Sequence, residues 1–344
     1  MLEIQFNQFG PPSVVAKCVN VPDDGVPSAW DAIVRVDAFP INPADLAMLA
    51  GRYGNLPKLP ATIGMEASGK IVRVGESVET LAVGDQVMIM ANNNWGQYRK
   101  VPATLLHKVP DNLCPLQAAM MKVNPATALL LLTQEAELKR GDWVIQNAPL
   151  SNVGRAVIQI AKARGFRTVN IVRREDARQA VLDLGGNVAV HTGDDLAKDV
   201  QSAIGRAKIR LALDAVGGES TQQLALCLAE RSRIVNYGML SGEACRLEPE
   251  QTIFRGITLS GFWLSKIVNR MTHTQRIELY DEILAMLVAG SLRGQVDMCY
   301  GLDQVSEAIQ RAERGDRQGK VLVLPNGPVQ SESVILGEAS EADQ

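Results

Sequence analysis

Two periodicities divide this chain. Over its first third, apolar and polar positions alternate or fall into short valine-rich runs: DAIVRVDAFPI (31–41), GKIVRVGESV (69–78) and GDQVMIMAN (84–92), fenced by Gly, Pro and Asp. That pattern predicts strands joined by turns. From about Pro125 the period changes. An apolar helix is expected over 126–136, a strand over Trp143–Asn147, a helix over 153–164 and a strand over 168–173. Helix 177–184, strand 211–214, helix 219–230 and strand 234–237 continue the series, and an extended segment follows at 258–262. Such alternation builds right-handed βαβ units, hence a parallel sheet covered by helices on both faces. One more helix (277–289) and a last apolar strand (319–324) close the ordered part, and the Ser/Glu-rich tail beyond Pro325 is expected to fray. The fold class expected is α/β: a doubly wound domain at 122–261 inserted into a β-rich domain made of 1–121 and 262–344.

Composition narrows the class without naming it. At 344 residues the chain is too long for one ordinary core, which agrees with two domains. A net charge of −3 gives no reason to expect nucleic acid or an anionic membrane as partner. No apolar run approaches 18 residues, so no membrane span is expected. The N-terminal MLEIQFNQFG is neither a signal h-region nor an Arg-rich presequence. Cys18, Cys114, Cys227, Cys245 and Cys299 are scattered without a CxxC pair. That argues against a zinc ribbon or disulfide framework and leaves a reducing cytoplasm as the expected compartment.

Candidate chemistry begins at Trp143. There WVIQNAPLSNVG passes from a strand through a tight turn into a helix, and the next strand ends on Arg173-Arg174. In a dinucleotide fold the second strand ends beside the adenosine ribose. A carboxylate there accepts from the 2′-OH of NAD. Two guanidinium groups instead suit the 2′-phosphate of NADP, so NADPH is the expected cofactor. The glycine fingerprint is damaged: Pro149, Ser151 and Gly154 stand where three glycines would, and only Gly154 remains, where a helix must approach its strand closely. Context restores part of the signal, since Arg173 lies 19 positions beyond Gly154, near the expected spacing of about 20. Ser151 and Asn152 can offer backbone N–H groups to a pyrophosphate at the helix N-terminus. The alternative is a doubly wound domain whose site has decayed, with the two arginines a solvated end.

Several separated motifs carry a resemblance: 41–71, VNPATA (123–128), 141–174, RLALDAVGG (210–218), VNYGML (235–240), GFWLSK (261–266) and GKVLVL (319–324). With them the chain resembles the zinc-independent branch of the medium-chain dehydrogenase/reductase superfamily, and within it the mitochondrial-type trans-2-enoyl-thioester reductases. The resemblance implies a Rossmann domain inserted into a GroES-like catalytic domain. It implies Asn124 and Thr127 near the nicotinamide ribose, and Leu150, Ser151, Asn152, Val153 and Gly154 along the pyrophosphate. Arg173 and Arg174 would hold the 2′-phosphate. Tyr237, Gly238, Met239 and Leu240 would flank the nicotinamide end with Phe262, Trp263, Leu264 and Ser265, and Lys320 would reach the cofactor from the last strand. The family's catalytic tyrosine falls on Tyr53. The chain departs from that family at Asn152, usually Gly, and at Pro149, usually small and polar. Zinc-dependent relatives place Cys at the position of Asn42 and a His-Glu pair where this chain has Met65-Glu66. Asn and Met are poor substitutes for thiolate and imidazole, and His107, His191 and His273 are dispersed, so no metal is expected.

The chemistry this implies is hydride transfer from NADPH to the β-carbon of a trans-2-enoyl thioester on CoA or acyl carrier protein. A group must stabilise or protonate the resulting enolate. Tyr53 suits that task, because an ordinary phenol with pKa around 10 is protonated at neutral pH; a tyrosine packed at a domain seam is the other reading. Asn42 could add a polar contact or merely stabilise the turn before Pro43. Trp263 could wall an acyl chain or pack in a core, while Trp95, Tyr98, Met120 and Met121 read as packing. Arg52, Lys58, Lys266 and Arg270 are candidates for a basic rim, or plain surface charges. Two other functions compete: a quinone or small-enone reductase, and a non-catalytic NADPH-binding protein. The last strand, apolar and taken as an exposed sheet edge, suggests a homodimer.

Overall fold

The computed structural model describes residues 1–23 and 25–329; the tail expected to fray lies mostly outside them. The chain divides into two compact units, one of Met1–Val123, His273–Val288 and everything from Arg293 on, the other of Asn124–Thr272 and Ala289–Leu292.

The first unit is built from β1 (Leu2–Phe6), β2 (Lys17–Asn20), β3 (Asp31–Pro40), β4 (Ala61–Thr62), β5 (Ala67–Val74), β6 (Gln86–Ile89), β7 (Tyr98–Pro102) and β8 (Leu106–Lys108). The second carries β9 (Trp143–Asn147), β10 (Arg167–Val172), β11 (Val188–His191), β12 (Ile209–Asp214), β13 (Arg233–Asn236) and β14 (Thr258–Gly261). The chain then returns to the first unit with β15 (Val296–Gly301) and β16 (Lys320–Leu324).

In the first unit, β3 is the spine. It pairs antiparallel with β5, β7 and β16, giving the order β15-β16-β3-β5-β6-β8 with β7 off the path, beside a small sheet β2-β1-β4. Between them lies a core of Ile4, Phe6, Val34, Val36, Phe39, Ile71 and Trp95, with the Trp95 ring stacked on Phe39 at 5.4 Å. Trp95, Met120 and Met121 are thus core residues.

The second unit is a six-stranded, wholly parallel sheet in the order β11-β10-β9-β12-β13-β14. Counting from β9, that order is 3-2-1-4-5-6, the doubly wound arrangement that places a ligand crevice at the carboxyl ends of its strands. All five residues of β9 are buried, as a central parallel strand with helices on both faces requires. The helix Asn152–Arg164 starts on Ser151, whose side chain accepts from Gly154 N, and stops at Gly165 in the left-handed region with Lys162 and Arg164 in its last turn.

The expected elements are present with shifted ends. The helix placed at 126–136 spans Asn124–Gln134, because Pro125 sits comfortably in a first turn. The helix placed at 277–289 begins earlier, at His273. Strands β11 and β15 were not foreseen, being short and mixed in polarity.

One expectation is corrected. The last strand is not a sheet edge: β16 lies between β15 and β3 and all five of its residues are buried. An unbroken apolar run is what two-sided burial produces; the edge is β15, so the dimer argument built on an exposed last strand falls.

Candidate functional site

In the second unit the site grows from the turn after β9. Ala148 takes φ 48°, a left-handed conformation usually left to glycine, and Ser151 N–H closes back on the Ala148 carbonyl at 3.0 Å. The chain thereby makes the tight turn without the first glycines of the fingerprint. Gly154 is indispensable for another reason. A Cβ built on it would lie 2.5 Å from the Ala148 carbonyl oxygen and 2.7 Å from Pro149 Cα, both backbone atoms. The helix therefore enters directly against its strand, and the amides of Asn152 and Val153 open its first turn, where N–H groups have no intrahelical partner. Arg155 braces this turn: largely buried, its guanidinium donates from Nε to the Leu150 carbonyl at 3.0 Å.

The other expected residues follow the carboxyl ends of neighbouring strands. Arg173 and Arg174 come directly after β10, both exposed, with Arg174 Nε 3.3 Å from Asp176 Oδ1. Tyr237, Gly238, Met239 and Leu240 follow β13; Phe262, Trp263, Leu264 and Ser265 follow β14. Met239 and Leu240 are 66% and 56% exposed. Gly238 has no room for a side chain, since a Cβ there would meet the Ala215 carbonyl at 2.6 Å. Asn124 and Thr127, both largely buried, lie in the first turn of the Asn124–Gln134 helix.

Two features of this edge escaped the sequence reading. Asp214, fully buried at the end of β12, accepts from Asn147 Nδ2 (2.7 Å), Thr221 Oγ1 (2.7 Å) and the amides of Val216 and Gly217 (both 2.9 Å). It ties β9 to β12 at the point where the strand order reverses. The second is the Tyr237 hydroxyl, which is buried near the Ser151 hydroxyl without a hydrogen bond of good geometry. Burial pushes this phenol well above its ordinary value; the Ser151 hydroxyl offsets part of the effect and the Asp214 charge adds to it. A buried hydroxyl with only a poorly aligned partner beside a helix N-terminus suits a polar ligand group that would complete it.

In the first unit, Tyr53 is half-buried, just past the helix Pro43–Leu49. That helix ends through Gly51 (φ 70°), and Arg52 N–H returns to the Ala47 carbonyl at 2.8 Å. At the other end, Asn42 N–H donates to Asp45 Oδ2 at 2.8 Å. Asn42 itself is buried: Nδ2 donates to Glu66 Oε1 at 2.9 Å, and Oδ1 accepts from Lys320 Nζ at 2.5 Å. Its side chain thus bridges Glu66 and Lys320, while its backbone N–H bonds Asp45 in the turn before the helix. Glu66 Oε2 accepts from Val123 N–H at 2.8 Å, and Lys122 Nζ donates to the Met65 and Ala91 carbonyls and to Asn92 Oδ1. Burial raises the pKa of Asp45 to about 7 and raises that of Glu66, while it lowers Lys122 and Lys320 to about 8, each lysine being held up in part by Glu66.

Among the described residues, no three His, Cys, Asp or Glu side chains are grouped so as to hold a metal ion. Also among them, no helix is long and apolar enough to cross a membrane.

Comparison with known proteins gives this geometry its context. Residues 28–111 match the alcohol dehydrogenase GroES-like domain, and residues 152–282 match the family described as zinc-binding dehydrogenase. The mitochondrial enoyl-[acyl-carrier-protein] reductase of Dictyostelium discoideum is 34% identical over 298 residues, which is 83% of each chain. The structure of an Etr1p complex with NADP and crotonyl-CoA superposes with a TM-score of 0.84 at 23% identity, over 94% of this chain and 99% of that one. The Escherichia coli quinone oxidoreductase complexed with NADPH gives 0.85 at 24% identity, over 94% and 100%. At such identities the two structures establish the fold alone. The match to the Dictyostelium enzyme extends along most of both chains, and this chain is accordingly an oxidoreductase belonging to the medium-chain dehydrogenase/reductase superfamily, in its branch of mitochondrial-type enoyl thioester reductases.

Proposed function

We propose that the chain reduces the C=C bond of trans-2-enoyl thioesters, carried on CoA or acyl carrier protein, with NADPH as its cofactor. The observation that carries this reading is the carboxyl edge of the parallel sheet. There a helix N-terminus forced close by Gly154, two exposed arginines at the end of the neighbouring strand and the buried, poorly satisfied Tyr237 hydroxyl meet the needs of a phosphorylated dinucleotide. When bound, NADPH supplies a hydride to the electrophilic β-carbon. In this reading the chain's own residues do the rest. The first-turn amides after Ser151 hold the pyrophosphate. Arg173 and Arg174 hold the 2′-phosphate by charge-assisted hydrogen bonds. Asn124 and Thr127 orient the nicotinamide ribose, and the segments 237–240 and 262–265 flank the ring. Tyr53 donates from its phenol to the enolate oxygen, or gives its proton to the α-carbon, and no strong base is needed.

Arg52, Lys58, Lys266 and Arg270 are proposed as contacts for a carrier phosphate. The cytoplasmic compartment stays a proposal beside a relative whose name places it in mitochondria, and the homodimer remains one that must rest on an interface other than β16.

The test is NADPH oxidation measured side by side with crotonyl-CoA, a long-chain enoyl-CoA and a quinone. Turnover of the thioesters with little on the quinone is expected. Substantial activity on the quinone alone would replace this reading by that of a quinone or small-enone reductase, which shares the fold and the hydride step.

A further inference from the structure

Asp214 is fully buried at the end of β12, beside β9, where the strand order reverses. Its Oδ1 accepts from the amides of Val216 and Gly217 and from Asn147 Nδ2. Asn147 is held in that sense, because its own Oδ1 accepts from Ala215 N–H at 2.7 Å and a backbone amide can only donate. At the other oxygen, Thr221 Oγ1 lies at 2.7 Å and Asn236 Nδ2 at 3.3 Å, the latter oriented by the Gly238 carbonyl at 3.0 Å. An ionised carboxylate accepts at both oxygens, which is what these donors require.

No cation answers this charge. Among the described residues no Lys, Arg or His side chain is within ion-pair distance of Asp214; Arg246, whose N–H bonds the Gly218 carbonyl, turns its guanidinium to Glu219 at 2.8 Å. A buried charge met only by dipoles still projects its field, and does so further in protein than in water. The Tyr237 phenol registers it. Burial does most to hold that proton in place, the Ser151 hydroxyl works against it, and the Asp214 charge adds to it.

The backbone ties the carboxylate to the same segment. Tyr237 N–H bonds the Asp214 carbonyl at 2.9 Å, Leu240 N–H bonds the Ala215 carbonyl at 3.1 Å, and a Cβ on Gly238 would meet that carbonyl at 2.6 Å. The stretch 237–240, which flanks the nicotinamide in the proposed function, therefore lies against the chain that carries Asp214. Hydride transfer changes the charge of that ring. Two electrons and one proton leave as hydride and form the new C–H bond at the β-carbon. The ring passes from neutral to +1, and the alkene's electron pair moves to the thioester oxygen until a proton arrives at the α-carbon.

We propose that Asp214 sets the preference of this site between the two redox forms of its cofactor: its uncompensated charge favours the cationic, oxidised nicotinamide over the neutral, reduced one, and so strengthens NADPH as a hydride donor. This rests on the reading of 237–240 as the nicotinamide end.

Calorimetric titration of the full chain with NADPH, NADP+ and 2′-phospho-ADP-ribose, which has no nicotinamide, separates charge from scaffold. Asp214→Asn keeps an acceptor for the donors at Oδ1, and its new amide nitrogen can donate to Thr221 Oγ1, whose hydroxyl turns. In that variant the ratio of the NADP+ Kd to the NADPH Kd should rise about three- to tenfold, the scale of one unit charge acting through a partly polar medium. The ringless nucleotide should follow NADPH. A merely structural role weakens all three together, so an unchanged ratio would overturn the proposal, as would a ringless nucleotide that follows NADP+. Should Asp214→Asn fail to fold, Cys245→Lys supplies the missing cation instead, since Cys245 Sγ is half-buried 4.0 Å from Asp214 Oδ2. It should raise the ratio in the same sense, and an unchanged ratio there refutes the proposal equally. Failure of the wild-type chain to bind either nicotinamide nucleotide would sink the cofactor reading and this proposal with it, whereas an unchanged ratio sinks the proposal alone.

Discussion

Replacing Arg173 and Arg174 together by Ala should separate the two nicotinamide dinucleotides, and the size of the effect can be worked from their surroundings. Both side chains are exposed at the end of β10, so each contact with a 2′-phosphate forms in high dielectric and is partly screened. A hydrogen bond to a charged group contributes about 1.5–3 kcal/mol, and exposure places these at or below the lower end. Arg174 must also leave Asp176, 3.3 Å away, an exposed ion pair worth about 0.2–1 kcal/mol. Arg173 has no comparable side-chain rival among the described residues, and its carbonyl faces His191 Nε2 at 2.9 Å, which anchors the backbone beneath it. The pair should therefore contribute about 2–3 kcal/mol, Arg173 the larger part. At about 1.4 kcal/mol per decade, NADPH Kd should rise about 30- to 150-fold in the double variant. NADH, which lacks the phosphate, should shift less than about threefold. Fluorescence titration of both nucleotides at about 50 and about 200 mM salt, between which the Debye length falls roughly twofold, measures this. The salt dependence of NADPH binding should weaken in the variant. Parallel losses for the two nucleotides would refute the assignment of these arginines to the 2′-phosphate.

Further predictions concern the turn, the phenol and one buried imidazole. Gly154→Ala forces a methyl to within 2.5 Å of backbone and should cost about 1–3 kcal/mol, read as a Tm lower by about 2–10 °C and an NADPH Kd raised about 10-fold; unchanged values would mean that the turn yields freely. Tyr53→Phe should lower kcat by about 10²-fold or more with NADPH Kd near wild type, and normal turnover of crotonyl-CoA would remove it from the chemistry. His107, buried on β8 with Nε2 3.3 Å from Asp281 Oδ1, is held below the ordinary imidazole pKa by burial, with Asp281 pulling the other way. The folded state thus binds a proton less readily than the unfolded one, and stability falls as pH drops through about 6.5. In His107→Leu the difference in Tm between about pH 7.5 and 5.5 should shrink; a variant that keeps the full wild-type difference would place the acid sensitivity elsewhere.

Much of the fold was legible because its signals are local and repeated. Each βαβ unit of the second domain announces itself by an apolar strand, a turn and an amphipathic helix, so β9, β10, β12 and β13 stand where the pattern put them. What failed was the reading of sheet position. Whether a strand is an edge depends on who lies beside it, and β15, with Asp297, Met298 and Tyr300 mixed along it, carries no periodic signal. The phosphate turn was legible only by its surroundings. Ala148 in a left-handed conformation and Ser151 as cap do the work of two glycines, and no spacing rule could foresee that substitution.

The charged node of the first unit was invisible for a more general reason. Read singly, Asp45 and Lys122 are a helix-start acid and a residue between two elements, each most economically assigned to solvent, while Lys320 was expected at the cofactor. Glu66 stood out beside Met65, at a zinc-ligand position of related enzymes. Burial of one carboxylate without a metal poses an electrostatic problem, and proximity in the fold answers it with residues far apart in sequence, Lys320 lying 278 positions from Asn42. Removing Lys320 should be worse than removing Lys320 and Glu66's charge together, because the expensive species is the unpaired buried charge rather than the missing contact. The sign of that comparison, not the size of any single loss, is what distinguishes a compensated charge cluster from unrelated buried side chains.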